Sequence, residues 1–294
     1  MKIGILTDST ADLPQNIINN YNIEVIPLTV HFGDDIYKDG VELNSEQFFN
    51  KIRKSNKLPK TSQPSTQLLI NKYREMSETY DAIISIHLSA GLSGTYQAAK
   101  NISQQLSDIN IYPFDSASIS LGLGFQTLLA AKLAKKLDSV KDIIETIKKA
   151  KQNLFLYFTV DDLTYMEKGG RIGKARAFLG KIFNINPIIS ISTSTGKVEP
   201  ISKTRGSKKT MNKMVNTAIE KLKDENFAWI GFAHGDRKKD MIEFKNNLLD
   251  IAKDNLNFNL KLKTFDSRIS STLGCHVGPS VYAGFIMSGD FLDI

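Results

Sequence analysis

The sequence predicts an α/β protein of two parts, a largely parallel sheet first and a mixed α/β unit after it. Three features carry that reading. Through the first half, apolar runs of strand length alternate with segments of helical period, the pattern of a parallel sheet covered by helices. Through the second half the strand-like runs lie further apart and include a hairpin signal at Thr193–Gly196, which favours a mixed sheet with helices on one face. No internal repeat or low-complexity linker appears, so the expected division is 1–152 and 153–294, two closely packed units with a cleft between them.

Taken in order, Lys2–Leu6, Glu24–Phe32, Ala82–Leu88 and Asn110–Phe114 read as the strands of the first half. Helical patterns lie at Pro14–Tyr21, Ser45–Ser55, Thr66–Tyr80, Thr95–Leu106 and Leu121–Lys136. Asp12 ahead of Leu13-Pro14 supplies a cap and a first-turn proline, Asn44 with Gln47 resembles a capping box, and Ser65 caps the run from Thr66. In the second half Leu154–Val160 is a strand, and Asp161–Lys168 is a short helix stopped by Gly169-Gly170. Asn186–Ile191 and Gly196–Val198 form the hairpin. A helix at Ser207–Leu222, a strand at Ala228–Ala233, a helix at Lys238–Asn255 and a strand at Asn259–Phe265 complete the series.

Composition narrows the setting. With 294 residues, 41% of them hydrophobic, and 8 prolines, the chain has the means to bury a large core. One cysteine excludes an internal disulfide and fits a reducing compartment. The start Met1-Lys2-Ile3-Gly4-Ile5 has no signal-peptide layout, and the greasiest run, Leu121–Ala134, is broken by Gln126 and Lys132. A cytoplasmic protein is expected. Its net charge of +7 is local: residues 168–213 hold 11 Lys and Arg against the single acid Glu199, while the rest is slightly acidic. That points to an anionic partner at one surface.

Two hydroxyl-rich loops are the most informative segments: Thr61-Ser62-Gln63-Pro64-Ser65 and Leu92-Ser93-Gly94-Thr95-Tyr96-Gln97. Each runs straight into a helical pattern, and a helix start offers free N–H groups and partial positive charge. Two such starts facing one point would hold an anion. Neither loop contains an acid, base or cysteine, so holding is favoured over reacting. Gly91-Leu92-Ser93-Gly94-Thr95 nearly forms a nucleophile elbow, which keeps a hydrolase using Ser93 and His276 open, with Asp266 as the acid that would have to approach. Gly122-Leu123-Gly124 and Gly173-Lys174-Ala175 lack the remaining positions of nucleotide-binding fingerprints, and no metal-ligand spacing is present, so no cofactor or metal is expected. His87, within an apolar strand, reads as a satisfied core histidine. Gly169-Gly170 after a helix sets Arg171 at a fixed angle, and Arg205 between Lys203 and Gly206 is placed to dock a partner or a phosphate. A nucleic-acid module over 168–213 fits the charge alone. Its aromatics are confined to Phe178 and Phe183, which leaves little for base stacking.

Six segments in order resemble the DegV family, the bacterial fatty-acid-binding proteins that include the FakB subunits of fatty acid kinase. They are Thr7-Asp8-Ser9-Thr10-Ala11-Asp12-Leu13, the two hydroxyl loops, Lys168-Gly169-Gly170-Arg171-Ile172, Lys203-Thr204-Arg205-Gly206 and His276-Val277-Gly278-Pro279. The resemblance spans nearly the whole chain. It departs at Ser280, where the family often has glycine. It implies an N-terminal Rossmann-like domain, a C-terminal mixed α/β domain and a lipid tunnel between them. It further implies that Thr61, Ser93 and His276 hold the carboxylate of a long-chain fatty acid. The chain would then present that carboxylate to the catalytic subunit of a fatty acid kinase, itself performing no catalysis. Arg205 and Arg171 are expected to serve that partner, with transient contact at a membrane surface and no role in nucleic-acid binding. Asp8 and Ser9 match the family pattern without an evident ligand contact.

Overall fold

The computed structural model describes residues 1–55, 57–178, 185–255 and 260–294. The first half begins with β1 (Ile3–Asp8), α1 (Gln15–Tyr21), β2 (Ile23–Ile26), β3 (Thr29–Phe32) and β4 (Asp35–Lys38). It continues with α2 (Ser45–Arg53), β5 (Lys60–Ser62), α3 (Thr66–Ser77), β6 (Ala82–His87) and α4 (Thr95–Gln105). It closes with β7 (Ile111–Asp115), α5 (Leu121–Ala134) and α6 (Val140–Gln152). The second half runs β8 (Leu154–Thr159), α7 (Thr164–Lys168), β9 (Asn186–Ile191), β10 (Val198–Thr204) and α8 (Ser207–Leu222). Then come β11 (Phe227–His234), α9 (Lys238–Asn255), β12 (Lys261–Arg268), α10 (Ser271–Val277) and β13 (Tyr282–Ser288).

The expected fold class holds. Strands β2-β1-β6-β7 form a four-stranded, all-parallel sheet, and β10-β9-β8-β13-β11-β12 a six-stranded mixed one. Because β1 and β6 are parallel neighbours, the loops after them leave the same sheet edge, at the point where strand order reverses. Helices α3 and α4 cover the outer face of the parallel sheet, where Leu69, Tyr73 and Ile102 pack on Leu6 and Ile83. Helices α8 and α9 cover the outer face of the mixed sheet through Met214, Leu222 and Phe244. Between the two sheets lies α5, which touches β1, β6, β8, β11 and β13. Every residue of α5 except Lys132 and Ala134 is buried. A helix apolar all round is the expected solution where both sides face a sheet. Gly122 and Gly124 belong to this buried helix, which is their role in place of a nucleotide fingerprint.

Several expected elements change. Glu24–Phe32 is not one strand: it breaks at Pro27-Leu28 into β2, in the parallel sheet, and β3, in a separate antiparallel sheet of order β4-β3-β5. Proline cannot donate to a ladder, which suits it to that corner. Asp12 does not cap α1, whose N-cap position is Pro14 with no side-chain cap. Asn44 and Gln47 do form a capping box, at 2.9 and 3.0 Å. The strand expected at Asn259–Phe265 is β12, Lys261–Arg268, with Asn259 outside the described residues, and β13 at Tyr282–Ser288 follows it as a further strand.

Candidate functional site

A cavity opens between the two sheets with about 800 Å³ of atom-free space, part of it open to solvent. Within it the centres of water-sized groups have about 160 Å³ of room. Its apolar walls come from both halves: Leu28, Leu88 and Ile119 on one side, Phe158, Ile191 and Val198 on the other. One end is polar, lined by Thr61, Ser62, Gln63, Ser93, Gly94, Arg171 and His276. Four of the five site residues read from the sequence therefore meet at one point.

Each is placed by a different element. Thr61 lies on β5, held by pairing with Val30 of β3. Its Oγ1 is 2.8 Å from His276 Nε2, on the last turn of α10. Burial, and then the Arg171 guanidinium, push the His276 imidazole down to about 4, so at neutral pH it is uncharged. Ser93 precedes α4, whose N-cap Gly94 supplies no side-chain cap. The Ser93 hydroxyl lies 2.9 Å from Thr95 Oγ1 and accepts from Thr95 N at 3.3 Å. Ser65, by contrast, accepts from Leu68 N at 3.2 Å and does not line the cavity. Of the two hydroxyl loops, only the start of α4 therefore offers its helix end to the cavity.

Arg171 is fixed as the glycine pair predicts. Gly170 takes the left-handed conformation (φ 70°), its N–H reaching Glu167 O at 3.0 Å while Arg171 N reaches Met166 O at 2.9 Å. The Arg171 side chain then donates to Leu92 O at 3.2 Å and to Gly169 O at 2.7 Å. It sits at the rim, one residue from Ser93, rather than on a remote docking face. Arg205 does lie apart. It is exposed in the turn between β10 and α8, seven residues along from Val198, a run of about 20 Å in an extended strand.

The alternatives lose their geometry. His276 Nδ1 has no hydrogen-bond partner, so no carboxylate backs it. Asp266 instead pairs with Lys245 at 2.7 Å, and Ser93 meets Thr95 rather than His276. In the basic stretch, Lys174 pairs with Glu199 and Arg176 with Glu167. Residues 179–184, with Phe183 among them, and the Phe178 side chain lie outside the description. Among the described residues no His, Cys, Asp and Glu cluster is arranged for a metal, and no helix is long and apolar enough to cross a membrane.

The motif Thr7–Leu13 turns out to be structural. Asp8 is buried, accepting from Thr10 Oγ1 (2.6 Å) and Leu88 N (2.9 Å) and facing His87 Nδ1 at 3.1 Å. His87 reaches on through Ser85 to Tyr73, which makes it the satisfied core histidine expected. Ser9 donates to Asp39 at 2.9 Å. Asp39 also accepts from Ser271 N (3.0 Å) and Thr272 N (3.3 Å), and Asp12 accepts from Ser270 N (2.9 Å) and Ser120 Oγ (2.6 Å). Burial raises both carboxyls above the usual range, in the case of Asp12 well above it. These two acids anchor the start of the helix that carries His276. Sequence reasoning missed this anchoring because the partners at the start of α10 lie more than 230 positions away.

Fold and cavity together give a two-part α/β protein with an apolar pocket whose polar end carries Thr61, Ser93 and His276, with the Arg171 guanidinium beside them. A family model described as uncharacterised protein, DegV family, matches residues 2–288. The chain belongs to the DegV family. It is 38% identical over 215 residues to Protein DegV of Bacillus subtilis (strain 168), covering 73% of this chain and 76% of that one. Among solved structures it resembles a DegV family protein from Thermus thermophilus described for fatty acid binding, with TM-score 0.90 and 28% identity over 98% of this chain and 100% of that one. It also resembles DegV of Bacillus subtilis, described as a fatty acid binding protein, with TM-score 0.88, 31% identity and the same coverage.

Proposed function

We propose that the protein binds a long-chain fatty acid and presents its carboxylate to a separate ATP-dependent kinase subunit for acyl-phosphate formation. The observation that carries the first part is one cavity with apolar walls and a polar end built from Thr61, Ser93 and His276. The solved relatives described as fatty-acid-binding support it. Burying roughly 14 methylenes at about 0.8 kcal/mol each gives on the order of 11 kcal/mol before binding costs. Hydrocarbon thus supplies the affinity, and the hydroxyls and imidazole choose which end is held. Neutral donors bind a carboxylate without burying a counter-ion.

In the kinase step a carboxylate oxygen attacks the γ-phosphorus of ATP and ADP leaves. The partner supplies nucleotide and Mg²⁺, and this chain contributes position alone, with no cofactor of its own. Arg205 serves docking. It stands before α8, whose first turn carries Lys208 and Lys209 and no acid, an arrangement the helix dipole disfavours. An acidic partner face or an anionic bilayer surface relieves it. Arg171, at the rim, serves the same encounter at the carboxylate itself. This reading places the protein in the cytoplasm. It divides the chain at 1–152 and 153–294, where α6 ends at Gln152 and β8 starts at Leu154.

Native mass spectrometry of the purified protein tests the binding. The expected result is an added mass equal to a long-chain fatty acid. A protein with no lipid adduct that also fails to take up added fatty acid overturns the reading.

A further inference from the structure

We propose that Ser89 is a positioning residue for Ser93: its hydroxyl latches the tip of the β9–β10 hairpin onto the turn that carries Ser93, so the grip on the ligand depends on the two halves meeting there. The ligand is the fatty acid carboxylate of the preceding section, and to that extent the inference rests on that reading. The latch stands on the protein alone.

Ser89 is fully buried and uses every polar group it has. Its N–H donates to Ser118 O at 2.9 Å, and its carbonyl accepts from Leu92 N at 3.0 Å and from Ser93 N at 3.1 Å. The last two bonds wind residues 89–93 into a single turn ahead of α4. The Ser89 hydroxyl accepts from Gly91 N at 3.0 Å and donates to Gly196 O at 2.6 Å. Gly196 lies in the turn between β9 and β10, in the left-handed conformation (φ 66°). The latch therefore joins the first half to the second, across 107 positions of sequence.

Two glycines make that crossing possible. A Cβ on Gly91 would stand 2.6 Å from Gly196 O and 2.8 Å from Thr195 O, and one on Gly196 would collide with the Ser89 hydroxyl. Backbone meets backbone, and a side chain at either position would part the halves. From this tip, Ile191 and Val198 run into the cavity wall. A second bond from the same half, Arg171 Nε to Leu92 O at 3.2 Å, reaches the turn one residue before Ser93. That bond is exposed, whereas the latch is buried. Without the Ser89 hydroxyl, Gly91 N loses its acceptor and the buried Gly196 loses a donor to its carbonyl. Such groups must move to find new partners. The segment that moves carries Ser93, whose hydrogen bond to a carboxylate weakens as distance and angle drift.

The test combines palmitic acid release from the loaded full-length protein with amide hydrogen exchange of the ligand-free one. Ser89→Ala should lose palmitic acid about tenfold faster. In a Ser93→Ala background the same change should add nothing, because a residue acting through Ser93 then has nothing left to position. Equal factors in the two backgrounds mark a general structural loss and overturn the proposal. Gly91→Ala, which wedges the turn from the hairpin without removing a polar group, should also speed release, and it carries the same comparison if Ser89→Ala does not fold. Unchanged release in both variants overturns the proposal. Without ligand, the amides of Gly91, Leu92 and Ser93 should exchange faster in Ser89→Ala than in wild type, and unchanged exchange overturns the latch. Faster exchange in a protein whose wild type never takes up palmitic acid supports the latch and overturns the ligand reading instead.

Discussion

Two helix starts, those of α10 and α4, meet the same electrostatic requirement in opposite ways. Each presents backbone N–H groups and partial positive charge, at α10 to two buried acids and at α4 to the cavity. At α10 the protein fills the position itself: Ser270, Ser271 and Thr272 donate to Asp12 and Asp39, and Ser270 caps Leu273 N. At α4 the N-cap is Gly94, with no side-chain cap, and the start opens on the cavity. One start is closed by an internal carboxyl pair; in the function proposed above, the other receives a carboxylate from outside. The difference separates what holds the site together from what the site is for.

The comparison is open to attack first at α10. Asp39→Ala leaves two backbone donors and Ser9 without their acceptor, which should lower stability by about 3 kcal/mol. Denaturant unfolding measures it, and a loss below 1 kcal/mol would show that α10 does not need the anion the chain supplies. Next comes pH. The folded pKa of His276 is depressed from 6.5 to about 4, so the unfolded chain binds the proton more readily. Stability is full above 6.5 and is lost as pH falls toward 4, by about 2–3 kcal/mol. Asp12 and Asp39, raised by burial, act with the opposite sign, because their folded state keeps the proton as pH rises. They are common to wild type and His276→Gln, so the difference in unfolding free energy between those two proteins across pH 7 to 4.5 isolates the histidine.

At the open start the effects should fall on ligand and spare the fold. Ser93→Ala and Thr61→Val each remove a hydroxyl, weakening fatty acid binding by about 1–3 kcal/mol; equal occupancy in both variants would remove them from the site. The smallest change is expected at Arg205→Ala, an exposed position where stability should move by less than about 0.5 kcal/mol. Ligand occupancy should persist while kinase-dependent acyl-phosphate production falls, with a salt-dependent deficit. Loss of the ligand itself, or full production, ends the docking role.

How much of this was legible in the sequence follows from how local each signal is. Helix α8 matches its expected span, and α9 likewise, because apolar spacing is a property of the segment itself. The hydroxyl loops pointed to the polar end, since the residues that meet the cavity are contiguous. Helix α6 was within reach: Ser139 caps it and Val140, Ile143 and Ile147 form its buried stripe. Strand β13 was harder, being buried along its whole length and so without alternation. Short α10, with Gly274 inside it, shows too few turns for a period. The β2–β3 corner and the Asp12 and Asp39 contacts were illegible for a different reason. They depend on which distant segment arrives, and a carboxylate beside a proline looks like a local cap until Ser270 is seen next to it.

Helix α5 has a consequence for the history and handling of the chain. Because it is sandwiched, severing the two halves would strand an oily face on each piece: bare α5 on one, its empty socket on the other. Neither fragment is then a portable module that recombination can pass between proteins, and the two should regain shape only by meeting. Fragment complementation, in place of independent folding, is the behaviour such a shared spine imposes.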